Sequence, residues 1–300
     1  MYLPAITLGY AVPAGDFDAS IHSVFHSAMN IRLLDGHLLT LLSSSEANLP
    51  QGIRIDTAED FSFEKFQIGE TAVCREGILC IENPGLTVQL RGGRRWDFDL
   101  SKLDVDAGNL AVSNAWSLVW AALNRRQKRL STEIIAEDLF CADQSIQPSV
   151  STKAGLAMQA IVMATRQFNL DGTAAAEALI GLGYGLTPSG DDLLIGYLAG
   201  LWCTARKKSD RTQFTIELGK KITDLSVRTN DISRTYLLHA ARGQVSSRLT
   251  ALAEAIARKE KTDLLLEKAE YAMQSGSSSG MDVVTGLLIG MSAWDTPDLL

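Results

Sequence analysis

Gly181-Leu-Gly-Tyr-Gly-Leu-Thr-Pro-Ser-Gly-Asp-Asp192 runs directly into the apolar stretch Leu193-Leu-Ile-Gly-Tyr-Leu-Ala-Gly200. Four glycines, a Thr-Pro step, a serine and two adjacent carboxylates are packed into one turn that opens a helix. Ninety residues on, the pattern returns as Ser279-Gly-Met-Asp-Val-Val-Thr-Gly-Leu-Leu-Ile-Gly290. The shared form is S-G-x-D-h-h-x-G-h-h-h-G, with h apolar. Gly196/Gly200 and Gly286/Gly290 each stand at i, i+4 on one helix face, which lets two backbones approach closely at a cost of about 1 kcal/mol per glycine relative to alanine. The expectation is a helical bundle with these two helices at its centre.

The surrounding sequence agrees with that grammar. From about Asn109 onward it reads as helices: Ala111–Asn124, Thr132–Phe140, Lys153–Gln167, Thr173–Ile180, Leu193–Arg206, Thr212–Val227, Ser233–Ala241, Ser246–Lys259, Asp263–Gln274 and Asp282–Met291. Trp116 and Trp120 at i, i+4 read as a core stripe. Before that the chain is strand-like. Leu38–Leu42, Gly52–Asp56, Thr71–Arg75, Ile78–Ile81 and Leu86–Leu90 are separated by turn signals such as Glu76-Gly77 and Asn83-Pro-Gly85. Phe17 to Asn30 reads as one helix, with His22 and His26 on the same face. The fold class is therefore α+β. A β-rich domain, a small barrel or meander, covers residues 1–105, and an all-α domain covers 106–300.

Composition bounds the function. The 300 residues are 46% hydrophobic and 21% charged with a net charge of −7, as in a folded protein that does not attract nucleic acid. The basic run Arg125-Arg126-Gln127-Lys128-Arg129 reads as a solvated helix end. No apolar run reaches the roughly 20 residues of a membrane span. The first residues lack the basic and apolar regions of a signal peptide. Cys74, Cys80, Cys141 and Cys203 have no metal-binding spacing and read as buried free thiols, although Cys74 and Cys80 flank a hairpin turn and could face each other. A reducing, cytoplasmic setting fits.

Two readings of the repeated motif compete. Ser189 with Asp192, and Ser279 with Asp282, have the spacing of a capping box, worth about 1 kcal/mol per helix. Capping leaves Gly181, Gly183, Gly185 and the Gly276-Ser-Ser-Ser279 run unexplained. Such turns allow positive φ and converging N–H groups, as a ligand site needs. Gly185, Thr187, Ser189, Gly190, Asp191, Asp192, Ser279, Gly280 and Asp282 are the candidate ligand-binding residues, with the hydroxyls of Ser277 and Ser278 nearby. Between the copies, Arg228-Thr-Asn-Asp-Ile-Ser-Arg234 breaks one helix and starts another. There Asn230 or Asp231 is a helix cap, Ser233 adds a hydroxyl, and Arg228 or Arg234 is a candidate partner for an anion. If the three turns meet, Asp192, Asn230 and Asp282 line one cavity. The paired aspartates repel a bare phosphate, so either Mg²⁺ mediates through Asp191, Asp192 and Asp282, or the carboxylates accept hydrogen bonds from a ligand amide. No catalytic residue is assigned, and no cofactor other than possible Mg²⁺.

Gly-Leu-Thr-Pro-Ser-Gly-Asp-Asp-Leu-Leu-Ile-Gly, the intervening Thr-Asn-Asp-Ile-Ser and the closing Ser-Gly-x-Asp resemble the AllH-like family of bacterial proteins. Its name-giving member is regarded as a subunit of oxamate carbamoyltransferase in anaerobic ureide (allantoin) catabolism. The resemblance covers most of the chain, the strand region matching in pattern only. It implies carbamoyl transfer between oxamate and phosphate through carbamoyl phosphate, with other subunits as partners. Two alternatives stand beside it. One is a Mg²⁺-dependent hydrolase, because the Gly-Asp-Asp and Ser-Gly-x-Asp starts are similar to the aspartate motifs of ADP-ribosylglycohydrolases, although the Asp-x-Asp-Thr run of those enzymes is missing. The other is a non-catalytic metabolite-binding or assembly subunit.

Overall fold

The computed structural model describes residues 1–140, 149–205 and 208–294. It divides into two compact units, Met1–Phe98 and Asp99 onward. The fold is α+β: a closed barrel followed by a helical unit.

Nine strands build the first unit: β1 (Tyr2–Gly9), β2 (Phe17–Val24), β3 (Ala28–Leu33), β4 (Leu38–Leu42), β5 (Gly52–Ile55), β6 (Thr71–Arg75), β7 (Ile78–Ile81), β8 (Leu86–Gln89) and β9 (Arg94–Trp96). The order β5-β4-β3-β2-β6-β7-β8-β1 closes because β5 also pairs with β1. The two hairpin runs, β2–β3–β4 and β6–β7–β8, are antiparallel; the joins β4–β5 and β1–β8 are parallel. β1 serves two partners along one edge. Tyr2–Pro4 pairs with β8 and Thr7–Gly9 with β9, while its other edge lies antiparallel to β5 across a bulge between Ala5 and Thr7. An eight-stranded barrel has an interior just wide enough for side chains to fill. Met29, Ile31, Leu41, Ile53, Ile55, Leu79 and Val88 fill it here, joined by Phe63 from a 3₁₀ turn at Phe63–Lys65.

Several expectations for this unit are corrected. Phe17 to Asn30 is not a helix but β2, a turn and β3. Ala19 and Ile21 are buried at the two-residue spacing of a strand, and the barrel rewards that spacing with an inward face. His22 and His26 consequently share no helix face: His22 lies on β2 and His26 in the turn beyond it, near Glu64. Cys74 and Cys80 do not face each other. Cys74 pairs with Leu79 and Val73 with Cys80, so the two thiols point to opposite faces, Cys74 buried and Cys80 exposed. Burial pushes the Cys74 thiol up. Cys203 is buried, and Cys141 lies outside the described residues.

The second unit holds eight α-helices among the described residues: α1 (Leu110–Leu130), α2 (Val150–Arg166), α3 (Ser189–Thr204), α4 (Ser209–Leu225), α5 (Asp231–Ala240), α6 (Ser247–Arg258), α7 (Thr262–Met273) and α8 (Ser279–Ser292). The helices expected at Thr132–Phe140 and Thr173–Ile180 are 3₁₀ segments, Ala136–Phe140 and Asp171–Ala178. Every residue of α3 is buried, as is nearly all of α8, and these two pack on each other more extensively than any other pair. They run parallel, starting at the same end.

Their contact is reciprocal. A β-carbon on Gly196 would overlap the carbonyl oxygen of Val283, and one on Gly286 would overlap that of Leu193. One turn further, Gly200 meets the Leu287 carbonyl and Gly290 the Tyr197 carbonyl. Each partner lies three residues before the matching glycine of the other copy, so the repeated motif forms a local pseudo-twofold pair. Helices α1, α2, α4, α5 and α7 pack against it. Trp116 of α1 donates its Nε1–H to the Leu288 carbonyl at 2.8 Å and stacks on Trp120 at 5.0 Å. The hydroxyls of Tyr197 and Thr165 of α2 share a hydrogen bond of 2.7 Å. The basic run of α1 is a helix end only in part. Arg125, Lys128 and Arg129 are exposed, but Arg126 pairs with Glu270 at 2.6 Å. The Gln127 amide is buried, donating to Thr285 Oγ1 and accepting from the Ala136 N–H.

Candidate functional site

The first turns of α3 and α8 lie side by side because the glycine faces hold the two axes together. Thr187 and Ser279, at the entries to the two helices, share a hydroxyl hydrogen bond of 2.6 Å. Neither expected capping box forms. Pro188 occupies the N-cap of α3 and Ser278 that of α8, and neither helix start has a side-chain cap bond. Instead each carboxylate has one hydroxyl from its own copy and one from the other. Ser279 and Thr187 lie beside Asp192, while Ser189 and Ser278 lie beside Asp282, each pulling its neighbour's pKa down somewhat.

Asp192 is 3% exposed and Asp282 1%. One oxygen of Asp192 and both oxygens of Asp282 have no hydrogen-bond partner among the described residues. Ser189 and Ser278 lie near enough to Asp282 to lower its carboxyl, but neither meets its oxygens at full hydrogen-bonding distance and angle. Burial is the main cause that pushes the Asp282 carboxyl up to about 7, with the charge of Glu133 adding to it. Burial also raises Asp192 well above the usual carboxylate range, and the nearby Asp282 charge raises it further. Glu133 carries no signal in the sequence. It lies in a separate segment, between α1 and a 3₁₀ turn, and only the tertiary fold brings its charge to bear on Asp282.

Asp191 has a different job from its neighbour. Its Oδ1 accepts the Gly181 N–H at 2.9 Å and its Oδ2 accepts the Thr229 hydroxyl at 2.5 Å. Burial raises its pKa, and these bonds pull it back. It fastens the glycine turn to the segment before α5. Asn230 makes a second fastening. Its Oδ1 caps α5 through the Ile232 and Ser233 N–H groups, and its Nδ2 donates to the Leu186 carbonyl. The three turns are thus tied together by Asp191, Asn230 and the Thr187–Ser279 pair. Asn230 is itself exposed, its side chain committed to those bonds, whereas Asp192 and Asp282 are buried next to each other.

The other candidates divide. Gly190 and Gly280 pack against the Leu179 and Ala272 carbonyls, where no side chain fits. Gly185 lies at an exposed tip with φ +100° and open space around it, flanked by the exposed Tyr184 and Leu186. Ser233 is fully buried near Asp191, its hydroxyl without a hydrogen-bond partner among the described residues. Asp231 is half-buried in the first turn of α5. Arg228 is exposed and forms an ion pair with Glu177, and Arg234 is exposed on α5. Among the described residues no basic side chain is one of the groups that act on Asp192 or Asp282. Among the described residues no helix is long and apolar enough to cross a membrane.

A closed barrel followed by an all-α unit, whose paired glycine helices bring two buried carboxylates together at their N-termini, defines a two-domain class with a polar centre inside an apolar scaffold. The chain belongs to the AllH family. Residues 179–291 match the family model described as oxamate carbamoyltransferase subunit AllH, and residues 7–95 match that of the AllH family N-terminal domain. The first match spans all three linked turns. Its description is of a carbamoyltransferase subunit, which implies other subunits. No curated protein and no solved structure matches the chain.

Proposed function

We propose that the chain is the subunit of an oxamate carbamoyltransferase that binds oxamate or carbamoyl phosphate at the joint of α3 and α8, in the catabolism of ureides such as allantoin. The observation that carries this reading is the set of three unpartnered carboxylate oxygens, ringed by four hydroxyls, inside the segment that matches the transferase subunit. Both substrates bear an NH₂ group, which donates to carboxylate oxygens. Their carbonyl oxygens accept from hydroxyls such as those of Thr187 and Ser279. In the transfer, the bond from the carbamoyl carbon to a phosphate oxygen breaks as one to the oxamate nitrogen forms, and that nitrogen gives up a proton. The reverse direction exchanges these roles. Groups that hold the carbamoyl unit in line and keep water out lower the barrier by positioning. The exposed Tyr184 and Leu186 at the tip of the glycine turn are apolar surface that a neighbouring subunit would cover.

The test is transfer by the enzyme reassembled from this chain and its partner subunits, read as phosphate release from carbamoyl phosphate in the presence of oxamate. Asp192→Asn and Asp282→Asn are expected to remove most of the activity while helicity and assembly persist. Unchanged turnover in both variants would rule out the α3–α8 joint. Absence of oxamate-dependent phosphate release in the reassembled wild type would overturn the reading as a whole.

A further inference from the structure

We infer that Asp192 and Asp282 together bind one divalent cation of the hard, oxygen-preferring class, such as Mg²⁺ or Mn²⁺, bridging the N-termini of α3 and α8. The argument begins with orphaned atoms. Three carboxylate oxygens are buried with no hydrogen-bond partner among the described residues. A buried polar atom without a partner costs free energy, and an uncompensated buried charge costs more. The two helix N-termini offset part of that cost. The other charges acting on the pair are themselves negative: Glu133 on Asp282, and Asp191 and Asp282 on Asp192. A bridging dication would neutralise the pair and engage one oxygen of each carboxylate, leaving lone pairs for a substrate NH₂.

The identity of the ligands follows from the hydrogen bonds. Asp191 is turned to another task, its two oxygens accepting from Gly181 and Thr229, and is not counted among the ligands. Neutral oxygens from Thr187, Ser189, Ser278 and Ser279 stand around the pair. Among the described residues neither histidine nor cysteine acts there, so the donor set they offer is oxygen throughout, which favours Mg²⁺ or Mn²⁺ over zinc. Among the described residues no group of three or more His, Cys, Asp or Glu side chains closes around a metal. A two-carboxylate site leaves several positions for water and for phosphate oxygens of a substrate, the usual arrangement for Mg²⁺. The cation thereby supplies the positive charge that an anionic substrate needs and that Arg228, paired with Glu177, does not bring. The inference rests on the proposed function only for the substrate's identity.

The full chain is titrated with Mn²⁺ and the free-ion electron paramagnetic resonance signal is followed, with Mg²⁺ as competitor. The expected result is one saturable site, displaced by Mg²⁺, whose affinity falls more than about tenfold in Asp192→Asn and in Asp282→Asn. Asp210→Asn, in the exposed first turn of α4, binds as wild type. Both site variants should be folded, shown by a melting temperature without metal at or above that of wild type. Mn²⁺ that stays free in the wild type, or binds equally to the doubly substituted chain, overturns the inference. Oxamate-dependent transfer that persists in excess EDTA overturns the cation alone and leaves the proposed function standing. Mn²⁺ binding in a reassembled enzyme that transfers nothing supports the cation and removes the function.

Discussion

The hydroxyls of Thr187 and Ser279 lie 2.6 Å apart although 92 residues separate them in the chain. Each belongs to the entry of a different copy of the same motif. That contact exists because the glycine faces of α3 and α8 bring their backbones together, and it sets Asp192 and Asp282 beside each other.

The close approach predicts which glycines tolerate a methyl group. Gly196→Ala and Gly286→Ala each drive a β-carbon into a carbonyl of the opposing helix. Overpacking of this kind costs about 1–3 kcal/mol, and rigid backbone on the receiving side places both at the upper end. Gly15→Ala, where a β-carbon meets open space, should change stability by less than about 0.5 kcal/mol. Urea unfolding of the three variants measures the contrast.

Adjacent aspartates should respond oppositely to amidation. Asp191→Asn places an NH₂ where two donors, the Gly181 N–H and the Thr229 hydroxyl, need acceptors. A loss of about 1–3 kcal/mol is expected. Asp192→Asn removes a buried carboxyl that is costly to ionise and has an unpartnered oxygen, and should stabilise the metal-free chain. Thermal melting in EDTA decides; equal destabilisation by both substitutions would contradict these assignments.

Stability of the metal-free protein should rise as the pH falls through the mildly acidic range. Asp282 has a folded pKa near 7 against an ordinary value of 3.8. Between these values the folded state holds a proton that the unfolded state has lost. Its destabilising effect is therefore absent below pH 4, grows as pH rises, and is complete above about pH 7. The slope reaches at most about 1.4 kcal/mol per pH unit for each such proton. Asp192 and Asp191, both raised as well, act in the same direction. Urea midpoints at pH 5.5 and 7.5 should differ for wild type, and Asp282→Asn should shrink the difference.

Thiol accessibility should sort the cysteines. Cys80 is exposed, while Cys74 and Cys203 are buried with their pKa values raised by burial. A maleimide pulse on the native protein, read by peptide mass spectrometry, should label Cys80 well before Cys74 or Cys203. A Cys74–Cys80 disulfide under mild oxidation would contradict their placement on opposite faces of the barrel wall.

What could be read from the chain alone was whatever is encoded by local period or by repetition. Gly196/Gly200 and Gly286/Gly290 marked the paired central helices, because only close backbone approach makes two such glycine faces useful. The hairpin strands from Leu38 to Gln89 were legible through their turn residues, and Asn230 through its capping chemistry. Phe17 to Asn30 was not, because its apolar spacing suits either a helix or two short strands, and the closing of the barrel chose the strands. β1 was missed for a similar reason: it is a strand only because β5, β8 and β9 pair with it.

The roles within Ser-Gly-Asp-Asp lay beyond the sequence. Spacing alone makes Ser189 and Asp192 a capping box and treats Asp191 and Asp192 alike. Only the packed fold assigns Asp191 to Gly181 and Thr229, turns the serines from their own helix starts toward the opposing carboxylate, and leaves Asp192 and Asp282 buried and unpaired. The motif determined which helices pair, since a glycine face is a property of one helix. Which carboxylates go unsatisfied depends on donors from other segments, and only tertiary contact brings those within reach.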